Sequence, residues 1–176
     1  MKKIAFLTTI FPMNEVFLYE FFNSLEKQTY KKFDIIVVND NYKDFEKFKT
    51  TYNQTLNIIE LQCSESPAKN REHGINYCIN NNYDILIFGD SDDYFANNRI
   101  EKSITLLKNN VIVVNDLSIF DENSIYIEKY ISNRVENNTI IDFEFIKDYI
   151  RFRSWKSAIL LKNMNIIEIP NDLIAV

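Results

Sequence analysis

The chain has 176 residues, 46% hydrophobic and 14% aromatic, which is enough apolar material for one domain with a real core and excludes a disordered chain. A formal net charge of -5 leaves no broad basic surface, so nucleic acid is excluded as the expected partner, as is a polybasic membrane contact. With Gly 2 and Pro 3 in the whole sequence, neither a Gly-rich phosphate loop nor a dinucleotide fingerprint can be written.

The N-terminal pair Lys2-Lys3 reads as a solvated strand end, and Lys3 to Thr9 as a first strand. The apolar run Ile4 to Ile10 is interrupted by Thr8 and Thr9 and stopped by Pro12, without a cleavage-site pattern; it is neither a signal peptide nor a membrane span. Leu18, Phe21, Phe22 and Leu25 recur at i, i+3, i+4 and i+7, one apolar face of a helix. Phe33 to Val38 is a β-branched strand bounded by Asn39-Asp40-Asn41. A polar helix around Asp44 to Tyr52 and a third strand, Leu56 to Leu61, follow.

Ala68 to Asn80 is the next helix, with Ile75, Cys78 and Ile79 on one face, and it ends in Asn80-Asn81-Asn82, where Asn tolerates a left-handed C-terminal cap. Ile85 to Phe88 has no polar residue, as a central strand covered on both faces requires. Ile100, Ile104 and Leu107 mark another helix, and Val111 to Val114 another strand. Beyond Asn115 we expect a half-exposed strand at Ser124 to Ile131, a short helix at Ile141 to Ile150 with Phe145 and Tyr149 on one side, and a strand at Ser157 to Leu161. Strands alternating with helices imply crossover units and a mostly parallel sheet, and with no Pro-, Gly- or Ser-rich linker, residues 1–176 read as a single α/β domain. The two cysteines, Cys63 and Cys78, lack C-x-x-C spacing, which fits a reducing cytoplasm better than a disulfide framework.

In open α/β sheets ligands bind beyond the carboxyl ends of the strands. Polar residues stand there at Thr8-Thr9, Asn39-Asp40, Lys69 to Gly74 and Asp90 to Asp93. The last group is the sharpest, because clustered carboxylates repel one another unless a cation or hydrogen-bond donors compensate. A hard divalent cation shared with phosphate oxygens is the natural partner. One acid suffices to cap a helix, and Asp93 reads as the N-cap of the helix containing Ile100, which leaves Asp90 and Asp92 for chemistry.

Taken in order, Ile4 to Thr9, Gln28-Thr29-Tyr30 with Phe33 to Asp40, Asn70-Arg71-Glu72-His73-Gly74-Ile75, and Phe88-Gly89-Asp90-Ser91-Asp92-Asp93 resemble the family 2 glycosyltransferases over roughly the first 115 residues. The resemblance implies a GT-A, Rossmann-like fold, a nucleotide-diphosphate sugar donor, most often a UDP-sugar, and Mn2+ or Mg2+. It places Thr8 beside the nucleotide, Asp40 on a base N–H, Arg71 beside base or diphosphate, Asp90 and Ser91 on ribose and sugar, and Asp92 on the metal as the second acid of a D-x-D motif. Residues 1–115 would then form the donor-binding part and 116–176 the start of the acceptor side. A glycan or lipid-linked acceptor is implied, the latter bringing the chain to the inner face of the membrane as a peripheral partner.

Two positions depart from the family pattern: Asn39 stands where an acid is usual, and Glu72 where Asn is common. His73, the only histidine, reads as structural or exposed, since a catalytic His needs an orienting partner that the sequence does not offer. Inverting relatives carry a general base further from the D-x-D motif than Val176 reaches, so the expectation is a truncated transferase. Trp155 and Ile166 to Ile169 resemble acceptor-side strands, and Asp172 is the one late acid in a loop-like setting, a weak candidate for the base against the reading of a turn residue. Two rivals remain open: a sugar-nucleotide-binding fragment without turnover, and a receiver-like magnesium-binding module. The second needs acids after the first strand, where Thr8-Thr9 stand.

Overall fold

In the computed structural model, residues 2–109, 112–120, 126–129 and 157–161 are described. Strand β1 (Ile4–Ile10) leads to α1 (Glu15–Glu26), β2 (Asp34–Asn39), α2 (Phe45–Tyr52), β3 (Asn57–Gln62), α3 (Pro67–Asn80) and β4 (Ile85–Phe88). Then come α4 (Arg99–Leu106), β5 (Ile112–Val114), β6 (Ser118–Phe120), β7 (Tyr126–Lys129) and β8 (Ser157–Leu160). The expected elements at Ile141 to Ile150 and Ile166 to Ile169, with Trp155 and Asp172, lie outside the described residues.

The main sheet runs β3-β2-β1-β4-β8-β5, and a separate ribbon pairs β6 with β7. Strands β3, β2, β1 and β4 are parallel neighbours, whereas β8 is antiparallel to both β4 and β5. The fold class is therefore α/β with a mostly parallel sheet, as the alternation of elements predicts. Chain order moves outward from β1 through β2 to β3, and α3 then returns the chain to the other side of β1 to form β4. The carboxyl ends of β1 and β4 thus flank the point where strand order reverses, the place where such sheets leave a crevice.

Side-chain alternation divides the core into two layers. Ile4, Phe6, Ile35, Val37, Ile85 and Ile87 pack with α1, α2 and α4 residues, while Ala5, Leu7, Ile36, Val38, Leu86 and Phe88 pack with Ile75 and Cys78 of α3. On the first face Leu18, Phe21, Phe22 and Leu25 of α1 are all fully buried, each stabilising the fold by about 1.5–3 kcal/mol. Phe21, Phe6 and Phe95 meet at ring separations of 5.1 to 5.9 Å. On the second face Gly74 lets α3 approach the sheet, since a Cβ there would lie 2.5 Å from Leu7 Cδ1 and 2.9 Å from Val38 Cγ2. Cys63 and Cys78 are free thiols, and burial pushes Cys78 up to about 12.

Helix α3 ends as the Asn run predicts. Asn82 takes a positive φ of 57°, and its N–H donates to Ile79 O at 3.1 Å while Tyr83 N–H donates to Cys78 O at 3.0 Å, a Schellman closure. The expected cap of α4 does not hold: the helix starts at Arg99 with Asn98 in the cap position, so Asp93 lies before it in the acidic turn. Nor does Asn98 cap with its side chain. Among the described residues no helix is long and apolar enough to cross a membrane.

Candidate functional site

The crevice between the ends of β1 and β4 is lined by Leu7, Thr8, Thr9, Arg71, Gly89 and Asp90. Strand β4 carries Ile85 to Phe88 through the core and releases the chain at Gly89, whose Cβ would lie 2.7 Å from Phe95 Cζ and closer still to the Phe6 ring. The turn is thereby pressed against the aromatic layer, and the polar residues after it emerge at the crevice. Asp90, Asp92 and Asp93 each bring a carboxylate oxygen within 4.8 Å of the others, Asp92 exposed and the other two half-buried. Three hard, anionic oxygen donors at this spacing are the chemistry a divalent cation prefers.

Ser91 is buried, and its hydroxyl donates to Thr9 O at 2.9 Å, which ties the acidic turn to the end of β1. Thr8 is also buried at the crevice, its hydroxyl 3.5 Å from Thr9 O. Arg71, one turn into α3, places Nη2 4.0 Å from Asp90 Oδ1. Burial lowers the Arg71 guanidinium from its ordinary value, and Asp90 opposes that shift. At this distance the two are attracted but remain separable by a ligand.

Asp40 stands at the adjoining end of β2, where its N–H donates to Ile10 O at 2.8 Å. Asn70 Nδ2 donates to Asp40 Oδ2 at 3.1 Å, and Asn70 Oδ1 accepts from Glu65 N at 3.1 Å. The carboxylate is thus held by the residue next to Arg71. The following turn takes Asn41 into the left-handed region at φ 62°. Asn39 closes it: Oδ1 accepts from Tyr42 N at 2.7 Å and Nδ2 donates to Tyr42 O at 3.0 Å and to Glu60 Oε1 at 2.7 Å.

Thr8, Asp40, Arg71, Asp90, Ser91 and Asp92 therefore occupy one end of the sheet, on or beside one crevice. His73 is exposed on α3, away from the crevice lining. Asp172 lies outside the described residues. Sequence reasoning assigns no role to Asn70, to Gln28 or to Arg99. Gln28 Nε2 donates to Ala96 O at 2.9 Å and its Oε1 accepts from Ile100 N at 3.1 Å, so it closes the far side of the acidic loop. Asn70 and Gln28 lie in segments the sequence singles out, and that is the one available signal.

The sequence profile of glycosyl transferase family 2 matches residues 10–165. No curated protein matches at the level of sequence. Among solved structures, S. aureus TarS 1-349 superposes with a TM-score of 0.68 at 19% identity, covering 98% of this chain and 51% of that one. The same protein in complex with UDP gives 0.67 at 19% identity, with 97% and 51% coverage. The mannosyltransferase PcManGT from Pyrobaculum calidifontis, in complex with GDP-Man and Mn2+, gives 0.53 at 14% identity, with 68% and 36% coverage. The chain thus spans about half the length of the TarS 1-349 chains it matches. A 4-diphosphocytidyl-2C-methyl-D-erythritol synthase from Anaerococcus prevotii, with a TM-score of 0.55 at 16% identity, shares the fold too, so fold alone does not select the transfer chemistry.

Proposed function

This chain belongs to glycosyl transferase family 2, and on that premise we propose that it binds a nucleotide-diphosphate sugar, a UDP-sugar first among them, and serves its transfer to a hydroxyl of a glycan or lipid-linked acceptor. The observation that carries the reading is the acidic turn at the strand-order reversal, with Asp90, Asp92 and Asp93 within 4.8 Å of one another and Arg71 facing Asp90. Asp92 and its neighbours would hold Mn2+ or Mg2+, with Asp92, the exposed member, as the principal ligand. The cation, when bound, supplies charge stabilisation for a departing diphosphate.

The chain's own residues account for the remaining roles. Asp40, oriented by Asn70, accepts from a base N–H; Thr8 borders the nucleotide; Arg71 offers a cation to base or diphosphate; Asp90 and Ser91 border ribose and sugar. Ser91 spends its own proton on Thr9 O, so toward a ligand its hydroxyl serves as an acceptor. Transfer is a single displacement: the acceptor oxygen bonds to the anomeric carbon as the bond to the diphosphate oxygen breaks, the nucleoside diphosphate leaves, and a carboxylate base takes the acceptor proton. Asp172 is the chain's candidate for that base. The product then has the opposite anomeric configuration, and retention, read by proton NMR of the product glycoside, sinks this step.

A thermal-shift series with UDP, GDP and CDP, each with and without Mn2+, tests the binding reading. UDP with Mn2+ should raise the melting temperature most, because a ligand specific to the native state stabilises it by mass action. No shift with any nucleotide contradicts the proposal.

A further inference from the structure

One buried cation has no part in the proposed transfer. Arg99, the first residue of α4, is 7% exposed. Its side chain reaches the end of β4, where Nη2 donates to Phe88 O at 2.5 Å and Nε donates to Asn115 Oδ1 at 3.4 Å. The guanidinium centre lies 4.5 Å from the Phe95 ring centroid and 5.5 Å from that of Phe6. Nη1 is buried with no hydrogen-bond partner among the described residues.

A guanidinium in such a place is unfavourable unless charge and hydrogen bonds compensate it, and an apolar chain would fill the same space against two phenyl rings without that penalty. The Arg99 bond to Phe88 O sets the guanidinium beside the backbone two residues before Asp90; burial lowers the group to about 10, and the Asp90 charge opposes the shift. The same carboxylate opposes the shift of Arg71. The two arginines differ in access. Arg71 lines the crevice, where a ligand can meet it, whereas Arg99 is enclosed beneath Gly89, among the rings that press on the turn.

We propose that Arg99 is a positioning residue for the acidic turn: a buried, fixed cation that anchors the end of β4 through the Phe88 carbonyl and balances Asp90, so that Asp90, Asp92 and Asp93 stay clustered before any cation arrives. The arrangement resolves the repulsion that first marks this sequence as unusual. It also divides the two arginines, one behind the turn for structure and one in front of it for ligand. The proposal rests on the donor-site reading only for the purpose of the cluster; the charge balance itself is a property of the metal-free protein.

A double-mutant cycle between Asp90→Asn and Arg99→Met, read as melting temperature in metal-free buffer, tests it. In the Arg99 background D90N should lower the melting temperature by about 4 °C or more, and in the R99M background, where Arg71 alone faces Asp90, the loss should be no more than about half as large. R99K, which keeps the charge, should restore the loss on D90N. An equal loss in the Arg99 and R99M backgrounds overturns the proposal. If R99M does not fold, D90N and D92N are compared in an R71M background, which removes the Arg71 contact. D90N should then destabilise and D92N stabilise, and shifts of the same sign overturn the proposal. Titration of the wild-type chain with UDP, with and without Mn2+, separates the two readings: no Mn2+-dependent binding ends the metal assignment and leaves the outcome of the cycle intact.

Discussion

Asn39 stands where the family resemblance leads us to expect an acid, and its amide makes three hydrogen bonds, two to Tyr42 and one to Glu60. An amide can donate and accept at once, which a carboxylate cannot, so Asn at this position closes the turn behind Asp40 without adding a charge. Glu60 completes the arrangement through Lys49 at 2.7 Å. Burial raises its carboxyl, but hydrogen bonds from Asn39, Lys49 and Gln62 outweigh this, and the net shift is below the ordinary value of 4.5. A lowered native-state value means a stability contribution fully present above about pH 4.5 and lost as pH falls through the native value. Glu60→Gln should therefore melt a few degrees below wild type at pH 7, with the gap closing in a pH series toward 3. A gap independent of pH contradicts this account. At this scale the gathering of Thr8, Asp40, Arg71 and the acids at one end of the sheet is legible in the sequence, because each stands near the end of a strand or in the first turns of the helix that follows one. The partners of Asn39, Asn70 and Arg99 are not, since those contacts join residues distant in sequence or depend on burial of a charge. Asp93 departs from its expected place because a capping preference cannot tell a helix start from a turn several residues earlier.

Helix α4 shows how an element borrows its cap. Its N-terminus has no side-chain cap from Asn98, and the N–H of Ile100 is instead satisfied by Gln28 from beyond the end of α1. Gln28 is fully buried and also donates to Ser24 O at 3.1 Å and Ala96 O at 2.9 Å. Gln28→Ala should destabilise the fold by about 2 kcal/mol or more, since it leaves buried groups unsatisfied and opens a gap. Urea unfolding of the variant checks this, and a change below about 0.5 kcal/mol contradicts the role. The elements of the first half are readable because their apolar faces repeat at helix or strand period, and the end of α3 because Asn tolerates a positive φ. The placement of β8 between β4 and β5 is not readable. Its four residues announce a strand but carry nothing that specifies an antiparallel partner.

At the scale of the whole molecule, the site exists because the chain order reverses between β1 and β4, which no local pattern records. Strands β1, β2 and β4 lie between neighbours and are buried on both faces, whereas β5 is exposed at its first position and half-buried beyond it, and β6 is exposed at its first and third. Amide hydrogen exchange should accordingly be slowest in β1, β2 and β4 and markedly faster in β5 and the β6–β7 ribbon. Uniform protection across the sheet contradicts this ordering. The acidic turn follows β4 directly and so belongs to the part expected to exchange slowly. The direct test of donor binding is a calorimetric titration of UDP into the wild-type chain and Asp92→Ala, each with and without Mn2+. The account predicts Mn2+-dependent binding in the wild type and at least a tenfold loss of affinity in the variant, about 1.4 kcal/mol. Equal affinity in the two proteins with Mn2+ present would contradict it.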